Sequence, residues 1–332
     1  MNTRKLGASG PVVSQLGLGC MGMSGVYGPA EDEESISTIQ EAIDQGINLL
    51  DTGDFYGMGH NEMLIGRAIQ GRREKAVLSV KFGALRTPAG AFAGFDGRPG
   101  AVKNFAAYSL RRLGVEYIDI YRPARLDPAV PIEETVGAMA ELVKEGYVRH
   151  IGLSEMSAET VRRAHAVHPI VDLQIEYSLV SRGIERGTLP ALRGMGTSLT
   201  AYGVLSRGML SGAKLRGPGD MRAHFPRFTG ENAQQNAKLA ATLERIAREH
   251  QVSAAQLAIA WVIQQGDDIV PLLGSRTRTQ LREAMGALRL NLSAEELRRT
   301  AEAVPEQSVA GTRYEARQMA ILDSEKAARS AN

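Results

Sequence analysis

Eight short apolar runs, separated by polar or amphipathic stretches, constrain this sequence more than any other feature. They are Leu16–Gly19, Asn48–Asp51, Val77–Lys81, Ile118–Tyr121, Ile151–Ser154, Val171–Ile175, Ser198–Tyr202 and Ile269–Leu272. Helical patterns lie between them, for example Glu33–Asp44, Glu62–Gln70, Ile132–Glu145 and Ala158–Ala166. Strands alternating with helices build βαβ units and a parallel sheet with right-handed crossovers. Eight such units predict an α/β fold, a (β/α)8 TIM barrel, with its chemistry at the strand C-termini. Residues 1–332 suffice for one such barrel as a single domain. Ahead of the first run, Arg4–Leu6 and Val12–Ser14, joined by Gly7–Gly10, read as an N-terminal β-hairpin.

Two runs end in ionisable residues. The second finishes at Asp51 and the third at Lys81, and Tyr56 lies between them in a glycine-flanked turn. A free tyrosine ionises near ~10, too high for easy proton transfer at neutral pH. An ammonium beside it favours the phenolate, and a carboxylate keeps that ammonium charged and in place. The expectation is therefore a Tyr56 whose pKa Lys81 lowers, with Asp51 holding Lys81.

Composition narrows the partners. A net charge of +2 leaves no basic footprint for nucleic acid. The six histidines, among them His60, show no metal-ligand spacing, so no metal is expected. Cys20 is the only cysteine, which fits a reducing compartment. No apolar stretch has the length of a signal core or a membrane span, so no membrane is expected and the reading is cytoplasmic. Oligomeric state is left open.

One connection is too long for mere linkage. From Ser211 to about Glu231 the chain is rich in Gly, Pro, Arg and Phe. Loops of that length in compact domains are usually functional or disordered. A flap over cofactor or substrate is expected, with Phe225 and Phe228 as apolar contacts. The tail after Val309 is a second candidate for the rim, and its end, Ala327–Asn332, is expected to fray.

The Asp51–Tyr56–Lys81 arrangement resembles the aldo-keto reductase family. So do Gly17–Gly22, Ser109–Gly114, Asp119–Tyr121, Asp127–Pro128 with Pro131–Glu134, Ile151–Ser154, Gln174–Ser178, Ala201–Gly203 and Gly274–Arg276. Together, in order, these span nearly the whole chain. They are most similar to the bacterial branch near the potassium-channel β-subunit-like reductases. The resemblance implies reduction of an aldehyde or ketone, a small-molecule carbonyl substrate, to an alcohol. Hydride comes from NADPH (NADP+ in the reverse direction) and the proton from Tyr56. The hairpin would plug the barrel floor. A non-catalytic NADPH-binding regulator of the channel β-subunit type is the alternative.

The resemblance also implies cofactor contacts. Ser154 and Gln174 match positions that hold the nicotinamide carboxamide, and Tyr202 the aromatic that stacks on it. Glu155 stands where the family commonly has Asn. Gly203, Val204, Leu205, Ser206 and Gly208 form a turn that can offer N–H groups to a pyrophosphate. Gly274, Ser275 and Arg276 open a helix whose N-terminus suits the 2′-phosphate, with Gln280 and Glu283 toward the adenine. Gly22 and Met23 complete the cofactor set. The substrate pocket draws on Met21, Tyr27, Phe55, Phe82, Ala124, Phe225 and Phe228. At Ala124 the family places a histidine that orients the carbonyl. Four explanations stand: water fills the gap, His60 substitutes, the pocket is widened for bulky carbonyls, or catalysis has decayed.

Overall fold

A computed structural model describes residues 1–213, 215 and 220–326. Lys214 and 216–219 of the long loop, and the tail end expected to fray, lie outside the described residues.

The eight apolar runs become eight parallel strands. They are β1 (Gly17–Gly19), β2 (Leu49–Gly53), β3 (Val77–Phe82), β4 (Ile118–Pro123), β5 (Val148–Ser154), β6 (Ile170–Glu176), β7 (Ser198–Tyr202) and β8 (Ile269–Leu273). Each pairs with its neighbours in sequence, and β8 returns to β1, closing the barrel. Burial on both faces explains why the strands read as nearly continuous apolar runs; all seven residues of β6 are buried. Around them pack α1 (Asp32–Asp44), α2 (His60–Ala68), α3 (Pro99–Leu113), α4 (Ile132–Lys144), α5 (Ala158–Val167), α6 (Thr188–Gly194), α7 (Gly230–Glu249) and α8 (Ala254–Ile263). Then follow α9 (Arg278–Met285), α10 (Ala294–Ala303) and α11 (Ala316–Ile321). Ser157 and Ser253 accept backbone N–H bonds at the starts of α5 and α8, satisfying groups that a helix end leaves unpaired.

The N-terminal hairpin pairs Thr3–Lys5 with Val12–Ser14. Its Leu6 and Val13 are fully buried in one cluster with Leu49, Ile120, Val171, Val270 and Leu272 from the strands. The hairpin thus closes the floor, opposite the strand C-termini.

The structure extends or adds to the expected elements at several places. Strand β4 runs on through Arg122 and Pro123. A second antiparallel hairpin, Ala84–Arg86 with Phe92–Phe95, rises after β3 and was not foreseen. The connection from β7 to β8 carries short turns at Met221–His224 and Pro226–Phe228 before α7 and α8. Among the described residues, no helix is long and apolar enough to cross a membrane.

Candidate active site

Asp51 and Lys81 lie on the adjacent strands β2 and β3, where Asp51 is in register with Ser79 and Lys81 with Gly53, and both are nearly fully buried. Lys81 Nζ donates to Asp51 Oδ1 over 2.5 Å. The other carboxylate oxygen accepts from Ser79 Oγ at 2.9 Å and from Gln174 Nε2 at 2.7 Å. Tyr56 stands over this pair, with Lys81 Nζ 5.1 Å from its ring centroid. Phe55 meets Tyr56 edge-on, 4.8 Å between centroids. Three successive left-handed residues follow Tyr56: Gly57, Met58 and Gly59, with φ of 57°, 55° and 97°. Two glycines are what make such a turn accessible, and it sets the phenol at the barrel mouth.

The electrostatics differ from the expectation. Burial first, and then the charge of Asp51, push the Tyr56 phenol well above its ordinary value. Burial pulls Lys81 down, against Asp51, which holds it up. The charge of Lys81, bonded to Asp51, is not among the largest influences on the phenol. The cation that does act to lower the phenol is Arg125.

Ala124 and Arg125 leave β4 beside Tyr56. Ala124 is buried, and its N–H donates to Phe82 O at 2.8 Å. Arg125 Nη1 donates to Ala124 O at 2.6 Å and reaches Ser154 Oγ at 3.5 Å; Nη2 lies 3.5 Å from Tyr314 Oη. Next to Ser154, Glu155 adopts φ 52° and is fully buried. Its carboxylate takes a bidentate pair from Arg313, at 2.9 and 2.7 Å, and hydrogen bonds from Tyr202 Oη and Ser324 Oγ, both 2.7 Å. Burial works to raise the Glu155 carboxyl, but Arg313 and Arg125 hold it well below the usual carboxylate range. Tyr202 Oη is also 2.8 Å from Tyr314 Oη. The C-terminal tail is thereby fastened over the ends of β5 and β7.

Beyond β7, Gly203–Gly208 form the anticipated turn, with Ser206 and Val204 buried. Arg207, unremarked in the sequence, is buried there with φ 55°. Its guanidinium lies 4.6 Å from the ring centroids of both Phe225 and Tyr314, and Nη2 pairs with Glu176 at 3.2 Å. Its Nη1 is buried without a hydrogen-bond partner among the described residues.

After β8, Ser275 is buried and Thr277 caps α9 through Gln280 N. Gln280 Oε1 accepts from Arg276 N at 3.0 Å. Arg276 Nη1 donates to the carbonyls of Tyr27, Gly28 and Pro29 at 3.2–3.4 Å. Gly22 backs onto it: a Cβ there would meet Arg276 Cγ at 3.1 Å. Arg278 and Arg282 are spoken for by Glu34 and Glu41 of α1. Glu283 is exposed.

The structure thus gathers Asp51, Tyr56, Lys81, Ser154, Gln174 and Tyr202 at one end of the barrel. Gly22, Met23 and Tyr27 lie in or near the turn after β1, against Arg276. Leu205 and Gly208 line the 203–208 turn, and Gly274 follows β8. Phe82 is not brought in: it is fully buried in the outer core, stacked on Tyr121 at 4.2 Å. Phe225 packs with Tyr314 and Leu322, and Phe228 beside them. His60 is bound to Ser24 Oγ through Nδ1, at 2.9 Å, and to Asp32 through Nε2, at 3.1 Å. Both its ring nitrogens are engaged away from Tyr56. Sequence reading passed over Arg125, Arg207, Arg313 and Tyr314. Arg125 alone left a trace, as the arginine that directly follows the anomalous Ala124.

Known proteins resemble this chain over nearly its whole length. The Aldo/keto reductase family profile matches residues 15–305. A probable aldo-keto reductase 1 of Glycine max is 44% identical over 321 residues, covering 93% of this chain and 91% of that protein. Aldo-keto reductase yakc of Schizosaccharomyces pombe, whose name specifies NADP(+), is 38% identical over 322 residues, 94% of each. Among solved structures, the glycerol dehydrogenase AKR11B4 of Gluconobacter oxydans superposes with a TM-score of 0.82 at 29% identity, over 91% of this chain and 94% of that one. Aldo-keto reductase AKR11C1 of Bacillus halodurans gives 0.77 at 27%, over 92% and 97%.

Proposed function

The chain belongs to the aldo/keto reductase family and is an oxidoreductase, and from that premise we propose that it reduces a small aldehyde or ketone with NADPH, Tyr56 giving the proton. The observation that carries this reading is the Tyr56 phenol standing over the buried Lys81–Asp51 pair.

The residues present suit a nicotinamide dinucleotide phosphate. The unpartnered, buried Nη1 of Arg207 marks a place where an anion is wanted, since buried charged donors go unpaired only at a cost. It lies in the turn whose N–H groups suit a pyrophosphate. The α9 start, with Ser275 and Arg276, suits the 2′-phosphate. Ser154 and Gln174 would hold the carboxamide. Because Gln174 Nε2 is given to Asp51, its carbonyl oxygen remains to accept from the amide. Glu155, committed to Arg313, Tyr202 and Ser324, is not available to it. The nicotinamide, when bound, supplies or takes up hydride.

A phenol held above its ordinary value stays protonated at neutral pH. It can therefore give its proton to an alkoxide as that stronger base develops. The same shift leaves little phenolate at neutral pH to serve as the base that alcohol oxidation needs. Lys81 and Asp51 lie beneath the ring, and the nearby charge of Arg125 stabilises the phenolate left behind.

The test is NADPH consumption by the wild type with a panel of neutral aldehydes and ketones, repeated with Tyr56→Phe. Turnover should fall by roughly 10²–10⁴-fold, the scale of a lost general acid, with NADPH affinity unchanged. A wild type that binds NADPH and reduces no carbonyl would instead be a non-catalytic cofactor-binding protein.

A further inference from the structure

Carbonyl reduction concentrates negative charge on one oxygen. Tyr56 is a single donor to it, and the buried Ala124 beside it has no side chain that can be a second. Arg125, the next residue, is built into the same corner. Its guanidinium faces Ser154 Oγ and Tyr314 Oη, and both contacts are long, 3.5 Å. Its one short bond is to the carbonyl of Ala124. Among the described residues no carboxylate lies within ion-pairing distance of it. The nearest candidate, Glu155, is already held in a bidentate pair by Arg313. A half-buried guanidinium with under-used donors and no counter-ion suits a partner that becomes negative only during reaction.

We propose that Arg125 donates an N–H hydrogen bond to the reacting carbonyl oxygen beside Tyr56 and stabilises the developing alkoxide. The inference rests on the reductase reading. It explains how Ala124 and an active site coexist: the donor has moved one residue along the strand exit. The groups facing Arg125 are Tyr56 from the turn after β2, Lys81 from β3, Ser154 at the end of β5 with Glu155 just after it, Tyr202 from β7, and Arg313 and Tyr314 from the tail. Its charge opposes those of burial and Asp51 at the phenol, so it also helps Tyr56 release its proton.

The experiment compares wild type, Arg125→Met, Arg125→Lys and Arg125→Ala on a neutral aldehyde and on one bearing a carboxylate. Arg125→Met should lower kcat/KM for the neutral aldehyde by roughly 10²–10³-fold, the scale of a removed oxyanion donor. NADP+ affinity, titrated by fluorescence, should be unchanged. Arg125→Lys should keep part of the activity, and added guanidinium ion should partly rescue Arg125→Ala. The alkaline fall of turnover should move to higher pH in Arg125→Met, because the phenol loses a nearby cation. A neutral carboxamide, whose carbonyl oxygen imitates the substrate's, should bind the NADP+ complex of Arg125→Met at least ~10-fold more weakly by calorimetry. Loss confined to the carboxylate-bearing aldehyde would overturn the proposal in favour of an anion pocket. An unchanged kcat/KM, or a matching loss of NADP+ affinity, would overturn it as well. An active wild type with insensitive Arg125 variants rejects this inference alone; an inactive wild type rejects the reductase reading with it.

Discussion

Two buried carboxylates, Asp54 and Glu62, lie close to Tyr56. Asp54 and Glu62 share Arg112, which bonds Glu62 Oε2 at 3.1 Å and the Asp54 carbonyl at 3.5 Å. Asp54 Oδ2 accepts weakly from Gly83 N at 3.4 Å, and Tyr121 is close enough to feel both charges. Burial first, and then the Glu62 charge, push Asp54 up to about 7. An unfolded aspartate titrates near ~3.9. The folded state therefore holds this proton more tightly. The stability that Asp54 contributes is fully present below the unfolded value and is lost as pH rises through about 7. Its total is on the order of 4 kcal/mol at most, at ~1.36 kcal/mol per unit. Asp54→Asn should raise Tm at pH 8 and leave it nearly unchanged at pH 4, with the difference growing between. Thermal unfolding across that range checks it, and a pH-independent difference would show that Asp54 stays charged in the folded protein. Asp54 was legible only as one letter in the Asp51–Gly57 motif. Its titration depends on Glu62, on another element, and no local pattern encodes that.

At the scale of elements, the strands and the turn chemistry were the readable part, and packing partners were the hidden part. Asp51 and Lys81 ended their apolar runs and so announced themselves. Arg122 and Pro123 read as strand terminators, yet β4 continues through them. The burial of Arg122 is matched by Asp172, fifty positions away, which accepts from the guanidinium. The Ala84–Phe95 hairpin escaped notice because its strands are short and rich in alanine and glycine, with no sustained alternation. The tail's clamp was invisible for the same reason as Arg122: Arg313 finds Glu155 across 158 positions. The α9 start was readable as an anion site, but its three arginines are unequal. Glu34 and Glu41 pair with Arg278 and Arg282, and Arg276 reaches backbone carbonyls of the 27–29 turn. Arg276 stands at the helix start, where free N–H groups and a guanidinium can meet a phosphate together. Arg276→Ala should weaken NADPH binding by roughly 10–150-fold, a charge-assisted hydrogen bond of about 1.5–3 kcal/mol, and barely affect NADH. Fluorescence titration of both cofactors decides it, since equal losses would make Arg276 a strap for the 27–29 turn.

Across the whole barrel a polar thread runs through the interior from the Asp51–Lys81 layer toward the floor. Asp51 accepts from Ser79 Oγ, Ser79 Oγ accepts from Arg122 Nη2 at 3.0 Å, and Arg122 Nη1 pairs with Asp172 at 3.0 Å. Thr200 adds its hydroxyl to Asp172. Arg122 and Asp172 have no solvent exposure at all. Gly152 makes room for them: a Cβ at 152 would sit 2.5 Å from Asp172 Oδ1. Below this layer the apolar floor cluster excludes water. Such a pair is costly to halve and nearly neutral to replace, because one partner left alone is a buried, uncompensated charge. Arg122→Met should therefore destabilise the fold by about 3–5 kcal/mol. The double variant Arg122→Met with Asp172→Leu should regain most of that loss. Urea unfolding with an unchanged m-value measures both. The thread also reaches the chemistry, since Arg122 orients the Ser79 hydroxyl toward Asp51. The double variant should fold and bind NADPH yet turn over more slowly than wild type, as Ser79 loses the donor that fixes its rotamer. An Arg122→Met variant as stable as wild type would mean that Asp172 is satisfied by Thr200 alone and that the interior ion pair adds little to the fold.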